Sequence, residues 1–223
     1  MILSFPDVLT ADELAAIHRH LAGASFISGQ ITAGPDAAPV KHNLQLDHRT
    51  PPQAEINAIV LNALRRHALF RAAVQPKQLH SLLVARYEPG MNYGLHVDNA
   101  LMGSDHLWRS DVSLTIGLQR ADQYQGGELV IAGANGELRY KPDAGTAICY
   151  PSTRLHRVEA VTAGVRLVIV AWIQSLVRDP AAREILYDLD QVRRALFAQA
   201  GKTAEFDLLC KTHANLLRRW AEP

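Results

Sequence analysis

The sequence predicts a mainly β protein with helices at both ends, an α+β architecture. The apolar pattern changes at Gln78 from a period near 3.6 residues to a period of 2. Short apolar runs then alternate with turns rich in Gly and Pro, which is typical of a sandwich or barrel rather than a βαβ sheet. Helical periodicity returns after residue 175. The sequence therefore predicts an N-terminal helical segment packed on the core (1–77), a β domain (78–175) and a C-terminal helical extension (176–223).

The first predicted helix begins at a capping box. Thr10 and Glu13 have the spacing in which each side chain bonds the other residue's backbone N–H. Apolar residues then recur on one helical face until Gly23, which ends the run. The following segment, 25–49, contains several Gly and Pro residues and is interpreted as turns with a short strand.

A second N-terminal helix is predicted to begin at Thr50. Thr50 is the expected N-cap, Pro51 has the fixed φ suited to the first helical position, and Gln53 completes a second capping box. Apolar residues at helical spacing carry this helix to about Leu69.

The β domain is predicted from period-2 runs and turn residues. The first run ends at Pro89-Gly90, and Asn135-Gly136 is a strong signal for a tight hairpin. Strands are accordingly predicted over 78–88, 111–119, both arms of 127–140, 146–150 and 166–174.

Two helices are predicted after the β domain. Asp179-Pro180 has an N-cap residue followed by proline at the first helical position, and this helix runs to about Ala200. Thr203 caps the last helix. These helices could form a lid, a homo-oligomer interface or simple packing.

Bulk properties exclude several classes of protein. The net charge of +1 gives no electrostatic reason to expect binding to nucleic acid or an anionic membrane. The longest apolar stretch of the C-terminal half, 167–173, is far shorter than a bilayer span. The start of the chain lacks a signal-peptide pattern, and two cysteines cannot form a disulfide scaffold. We therefore expect a cytoplasmic protein.

The chemistry-bearing residues are His96, Asp98, His156 and Arg166. Two histidines and one carboxylate form the facial triad that holds non-haem Fe(II) and leaves coordination positions open. His96 and Asp98 are two residues apart, so an extended backbone presents both on one face, while His156 would come from a neighbouring strand. The alternative is a loop histidine beside a turn-forming aspartate.

Arg166 begins an apolar strand and would share its face with large apolar side chains. A buried guanidinium needs an anionic partner, and a keto-acid carboxylate suits its planar, bidentate geometry. Tyr87, Thr115 and Ser113 are candidate hydroxyl donors to the same carboxylate. The alternative is an edge arginine whose charged end reaches water.

These residues lie in longer motifs that resemble the Fe(II)- and 2-oxoglutarate-dependent dioxygenases, specifically the bacterial PKHD-type hydroxylases related to prolyl 4-hydroxylases. The resemblance covers roughly 78–190. The matching motifs are RYEPGMNYGLHVDN (86–99), RSDVS (109–113), YQGGEL (124–129), YPS (150–152), LHRV (155–158), GVR (164–166), WIQSL (172–176) and LYDLD (186–190).

The resemblance implies a double-stranded β-helix (jelly-roll) core, with iron on His96, Asp98 and His156 and the distal carboxylate of 2-oxoglutarate on Arg166. It also implies L-ascorbate as reductant and a link to iron uptake. Nucleic-acid demethylases carry a second arginine six residues after the first, where this chain has Trp172. Halogenases lack the carboxylate ligand that Asp98 provides.

The leading hypothesis is therefore a dioxygenase that uses O₂, decarboxylates 2-oxoglutarate to succinate and hydroxylates an unidentified substrate. Two alternatives stay open at this point. One is a non-catalytic sensor that binds metal and 2-oxoglutarate. The other is a cupin-like metal-dependent isomerase or hydrolase with Zn²⁺ at the same ligands, which would have no need for a keto-acid clamp.

Overall fold

Two β-sheets face each other in the computed structural model, which describes residues 1–103 and 106–223. The helices are α1 (Ala11–Leu21), α2 (Pro51–Arg66), α3 (Ala68–Val74), α4 (Pro180–Ala200) and α5 (Ala204–Trp220). The strands are β1 (Leu3–Phe5), β2 (Phe26–Ser28), β3 (Lys41–His42), β4 (Leu44–Leu46), β5 (Pro76–Tyr87), β6 (Asn92–His96), β7 (Leu101–Met102), β8 (Trp108–Arg109), β9 (Val112–Gly117), β10 (Tyr124–Gly126), β11 (Leu129–Gly133), β12 (Gly136–Tyr140), β13 (Ala147–Pro151), β14 (His156–Val158), β15 (Val161–Gly164) and β16 (Arg166–Ser175).

The larger sheet has the order β1-β13-β9-β16-β5-β4-β2, and the smaller sheet has the order β12-β11-β14-β6-β3. Every pairing within these two sheets is antiparallel. Two short ribbons, β10–β15 and β7–β8, complete the described strands. The arrangement confirms the mainly β fold with a jelly-roll core and flanking helices.

The helices α1, α2 and α3 supply apolar side chains to the outer face of the larger sheet. Ile17, Ile56 and Phe70 belong to the same buried cluster as Leu114 and Ile116 of β9. The inner face of the larger sheet turns toward the smaller sheet. Strand β9 is therefore buried on both faces, and its polar residues, predicted to lie opposite the apolar ones, point inward.

Most helix boundaries agree with the sequence prediction. The Thr10–Glu13 capping box is present, and Asp179 and Thr203 cap α4 and α5 through their side chains. The predicted second capping box is wrong. Thr50 makes no capping bond, and Gln53 instead donates to the Leu82 carbonyl at 2.9 Å, which ties α2 to β5.

The second N-terminal helix is interrupted. It ends at Arg66, and His67 then caps α3 by accepting a hydrogen bond from the Phe70 N–H at 3.2 Å. The hairpin predicted at Asn135-Gly136 is confirmed, but its two loop residues are Ala134 and Asn135, since Gly133 pairs with Gly136.

The N-terminal segment adds strands as well as helices. β1 extends one edge of the larger sheet and β4 and β2 extend the other, while β3 extends the smaller sheet. The stretch interpreted as turns with one short strand therefore joins both sheets. The division of the chain at 77 and 175 stays a prediction. Within the described ranges, no helix has the length and apolarity needed to cross a membrane.

Candidate active site

The two histidines predicted as metal ligands are direct cross-strand neighbours. His96 ends β6, His156 begins β14, and the two residues are paired in the smaller sheet. Each ring donates its Nδ1 proton to the carbonyl two residues earlier, at 2.8 Å for His96 and 2.9 Å for His156. The ring centroids are 4.2 Å apart. With Nδ1 engaged in these bonds, Nε2 is the ring nitrogen of each histidine that is available to a metal.

Asp98 completes a compact cluster with the two histidines. One ligand atom from each of the three residues lies within 4.8 Å of the other two. Asp98 Oδ2 is 3.8 Å from His156 Nε2, and both side chains are nearly inaccessible to solvent. Two imidazole nitrogens and one carboxylate converging on one point fit a divalent iron site.

The predicted metal-ligand cluster, His96, Asp98 and His156, is held by neighbouring side chains. Ser113 on β9 donates its hydroxyl proton to Asp98 Oδ2 at 2.5 Å and lies 2.8 Å from the Ser152 hydroxyl. Tyr93 stacks on the His96 ring at 3.6 Å between centroids. Burial, reinforced by nearby His156, lowers the pKa of His96 to about 4, so the ring is neutral at physiological pH.

Arg166 is 1% exposed, at the beginning of the central strand β16. Its Nε and Nη1 are buried and have no hydrogen-bond partner among the described residues. The guanidinium lies 4.9 Å from the ring centroid of Tyr87, its cross-strand partner on β5. A buried, unpaired planar cation fits the distal carboxylate of a keto acid, because that ligand would satisfy both its charge and its donors.

A cavity of about 330 Å³ between the sheets joins the metal-ligand cluster to Arg166. Tyr87 and Thr115 also line it and are 3% and 2% exposed. Their contact with a co-substrate stays a prediction. The same holds for Ser113, whose hydroxyl already bonds Asp98 and is thus placed to orient this predicted metal ligand.

The sequence-based search missed a group of cavity residues from the N-terminal segment. Lys41, Asn43 and Gln45 are all buried and line the cavity. Burial lowers the pKa of Lys41 to about 8, and the nearby charge of Asp98 partly offsets this effect. A local sequence pattern could not reveal them, because their position depends on pairing between β3 and β6 and between β4 and β5.

Comparisons with known proteins agree with this geometry. Residues 82–174 match the family model of the 2OG-Fe(II) oxygenase superfamily, and residues 181–222 match that of the PKHD-type hydroxylase C-terminal domain. The chain is 53% identical to a PKHD-type hydroxylase of Crocosphaera subtropica and 54% identical to one of Acaryochloris marina. Both alignments cover 100% of this chain and 100% of the relative.

Solved structures share the fold at low sequence identity. A Pseudomonas putida prolyl-4-hydroxylase is 20% identical, with a TM-score of 0.51 over 78% of this chain and 92% of that one. A Trichoplax adhaerens prolyl hydroxylase, solved with a hypoxia-inducible-factor peptide, is 16% identical. It has a TM-score of 0.56 over 84% of this chain and 86% of that one. These structures share the fold, and the relatives that match over the whole chain, together with the family models, show that the chain belongs to the PKHD-type hydroxylases, enzymes of the 2OG-Fe(II) oxygenase superfamily.

Proposed function

We propose that this enzyme hydroxylates an unidentified substrate at an iron site formed by His96, Asp98 and His156. The observation that carries the proposal is that the same cavity holds this compact ligand set and a buried Arg166 whose Nε and Nη1 have no hydrogen-bond partner among the described residues. When bound there, Fe(II) with 2-oxoglutarate and O₂ would supply the oxidising chemistry that converts a substrate C–H bond to C–OH and 2-oxoglutarate to succinate and CO₂.

The protein's own contribution is to fix and orient the reactants. The carbonyls of Gly94 and Arg154 hold the histidine tautomers, and Ser113 holds the carboxylate of Asp98. Such supporting bonds set the ligand directions and typically change metal affinity by about 10–100-fold. Arg166 would bind the distal carboxylate of 2-oxoglutarate, with Tyr87 and Thr115 beside it.

The alternatives left open by the sequence have less support. An isomerase or hydrolase has no need for the keto-acid clamp that Arg166 would provide. The relatives are named as hydroxylases, and a sensor without turnover would lack that activity. We therefore keep hydroxylation as the proposal.

Several finer parts of the proposal rest on the family resemblance or on composition. These are L-ascorbate as reductant, a link to iron uptake, a cytoplasmic location and the absence of a nucleic-acid partner. The C-terminal helices expose Ile185, Val192 and Leu208, which supports a homo-oligomer contact through α4 and α5.

The direct test is succinate release from 2-oxoglutarate by the purified enzyme with Fe(II), followed by a mass-spectrometric search for products gaining one oxygen atom. We expect Fe(II)-dependent succinate release that the His156→Ala variant loses. Equal release by wild type and His156→Ala would refute the assigned metal site, and none by wild type would refute the proposed activity.

A further inference from the structure

The segment around β3 and β4 buries polar side chains where a strand normally buries apolar ones. Lys41, Asn43 and Gln45 are 5%, 5% and 2% exposed, whereas the intervening His42 is exposed. Alternate residues of an extended segment share a face, so these three face inward together. All three line the cavity beside the metal-ligand cluster. A buried polar row that borders an open cavity is suited to recognition rather than to core packing.

Lys41 is the charged member of this row, and the described contacts that hold it are neutral. Its Nζ donates to the Thr32 hydroxyl at 3.0 Å, and Thr32 in turn donates to Gln45 Oε1 at 2.7 Å. The ammonium also lies 5.1 Å from the ring centroid of Tyr93. Among the described residues, no carboxylate lies within ion-pair distance of it. One hydrogen bond leaves two of its three N–H donors free for a ligand in the cavity.

Lys41 and Arg166 occupy different walls of the cavity. Lys41 lies on β3, the edge strand of the smaller sheet, while Arg166 lies on β16 in the middle of the larger sheet. The Tyr93 ring beneath the Lys41 ammonium stacks directly on His96, so this cation is one aromatic ring away from a metal ligand. The two cations therefore reach the cavity from different sheets.

The charges of the loaded site leave Lys41 unbalanced. Asp98 is the only carboxylate that lines the cavity within the described part of the chain. Fe(II), Arg166 and Lys41 together carry four positive charges, whereas Asp98 and dianionic 2-oxoglutarate together carry three negative charges. One positive charge therefore remains. A monoanionic group of a further ligand would neutralise it, and this partner would compensate a charge that is already buried in the protein.

Building on the proposed function, we propose that the primary substrate carries a carboxylate that binds Lys41 and thereby places a nearby C–H bond beside the metal. Thr32, Gln45 and Tyr93 position the ammonium for this contact. The substrate class is thus a carboxylic acid whose anionic end sits on the β3 side of the cavity.

The test measures binding, not turnover, and uses acetate as a carboxylate probe with acetamide as its neutral match. The enzyme is loaded with Mn(II) and saturated with 2-oxoglutarate, and each probe is titrated by calorimetry. Lys41→Met removes the charge and Lys41→Arg keeps it. Lys141→Met is the matched control, because the Lys141 ammonium also contacts a tyrosine ring, at 4.3 Å, and a backbone carbonyl, at 2.7 Å, outside the cavity.

We expect acetate, but not acetamide, to bind wild type, Lys141→Met and Lys41→Arg. Affinity for acetate should fall about tenfold or more in Lys41→Met, as expected for a lost charged hydrogen bond. Equal acetate affinity in Lys41→Met, equal binding of acetamide, or no acetate binding to wild type would overturn the proposal. So would a preference for inorganic phosphate over acetate.

Two further outcomes separate this inference from the proposed function. If saturating 2-oxoglutarate abolished acetate binding, or if Lys41→Met bound 2-oxoglutarate more weakly, Lys41 would belong to the co-substrate site and the inference would fail alone. Absence of Fe(II)-dependent succinate release would instead refute the proposed activity, a result that the Mn(II) titration does not depend on.

Discussion

Replacing Arg166 by methionine should weaken 2-oxoglutarate binding without destabilising the ligand-free enzyme. Arg166 is buried, yet its Nε and Nη1 bond no described residue. A structural arginine would be expected to have such bonds, whereas a co-substrate clamp keeps them free. Arg183 is the matched control, since it is also buried but its Nη1 donates to the carbonyls of Val177 at 2.7 Å and Arg178 at 2.9 Å.

The expected magnitudes follow from these contacts. Each lost hydrogen bond to a charged group is worth about 1.5–3 kcal/mol, so loss of a bidentate pair should reduce 2-oxoglutarate affinity by about 100-fold or more. Removing an unpaired buried cation should leave the free energy of unfolding within about 1 kcal/mol of wild type or raise it. Arg183→Met should do the opposite, costing about 2–4 kcal/mol through two unpaired carbonyls and sparing 2-oxoglutarate.

The assay combines succinate release as a function of 2-oxoglutarate concentration with urea unfolding of the ligand-free proteins. Arg166→Lys provides an intermediate variant, because lysine keeps the charge but cannot present a planar fork. Its KM for 2-oxoglutarate should rise while Fe(II) binding stays intact. The reasoning would be refuted if Arg166→Met lost several kcal/mol of stability and kept its 2-oxoglutarate affinity.

Four other changes test the remaining contacts. His156→Ala should abolish turnover and keep the circular dichroism spectrum, whereas near-normal succinate release would remove His156 from the site. Ser113→Ala should weaken Fe(II) binding about tenfold in a metal titration, because Asp98 loses the hydroxyl that orients it. Thr115→Val should instead raise the KM for 2-oxoglutarate. If Ser113→Ala changed only the KM and Thr115→Val changed only Fe(II) binding, the two assignments would be reversed. The hydrogen-bonded Arg66 on α2 is the main cause that lowers the pKa of Glu13 from 4.5 to about 2. The Glu13–Arg66 pair therefore stabilises the fold above about pH 4.5, and this stabilisation is lost as the pH falls toward 2. Glu13→Gln should therefore lower the free energy of unfolding by about 0.5–1 kcal/mol at pH 7 and by much less at pH 2.5, and an equal loss at both values would contradict this ion-pair account.

The elements that the sequence predicted well are those whose signals are local. The Thr10 and Thr203 caps and the Asp179-Pro180 start each rely on residues within one helical turn. The long strand beginning at Arg166 could be predicted because a short, continuous apolar run is typical of a buried strand. The prediction of a second capping box was wrong because the Gln53 side chain bonds the backbone of β5, a long-range contact that local sequence rules do not predict.

The strands that carry the predicted metal ligands were harder to predict. β6 and β14 are short, and the pairing between them has a register shift next to the histidines. Irregular pairing breaks the period-2 pattern while aiming side chains into a site. His96, Asp98 and His156 could still be identified, because their residue types and the motifs around them carry the signal that periodicity lacks.

Lys41, Asn43 and Gln45, on the β3 side of the cavity, could be predicted neither from periodicity nor from residue type, and this has a physical cause. Metal and keto-acid ligands need particular residue types, since few side chains can bind iron or clamp a carboxylate. Lys41 has an ordinary side chain, and its role depends on burial beside Tyr93, a residue brought to it by pairing of β3 with β6. The part of the cavity that faces the substrate is thus assembled by long-range contacts from an irregular segment. We therefore expect substitutions in 25–49 to alter substrate binding while the predicted metal-ligand cluster and Arg166 remain as they are.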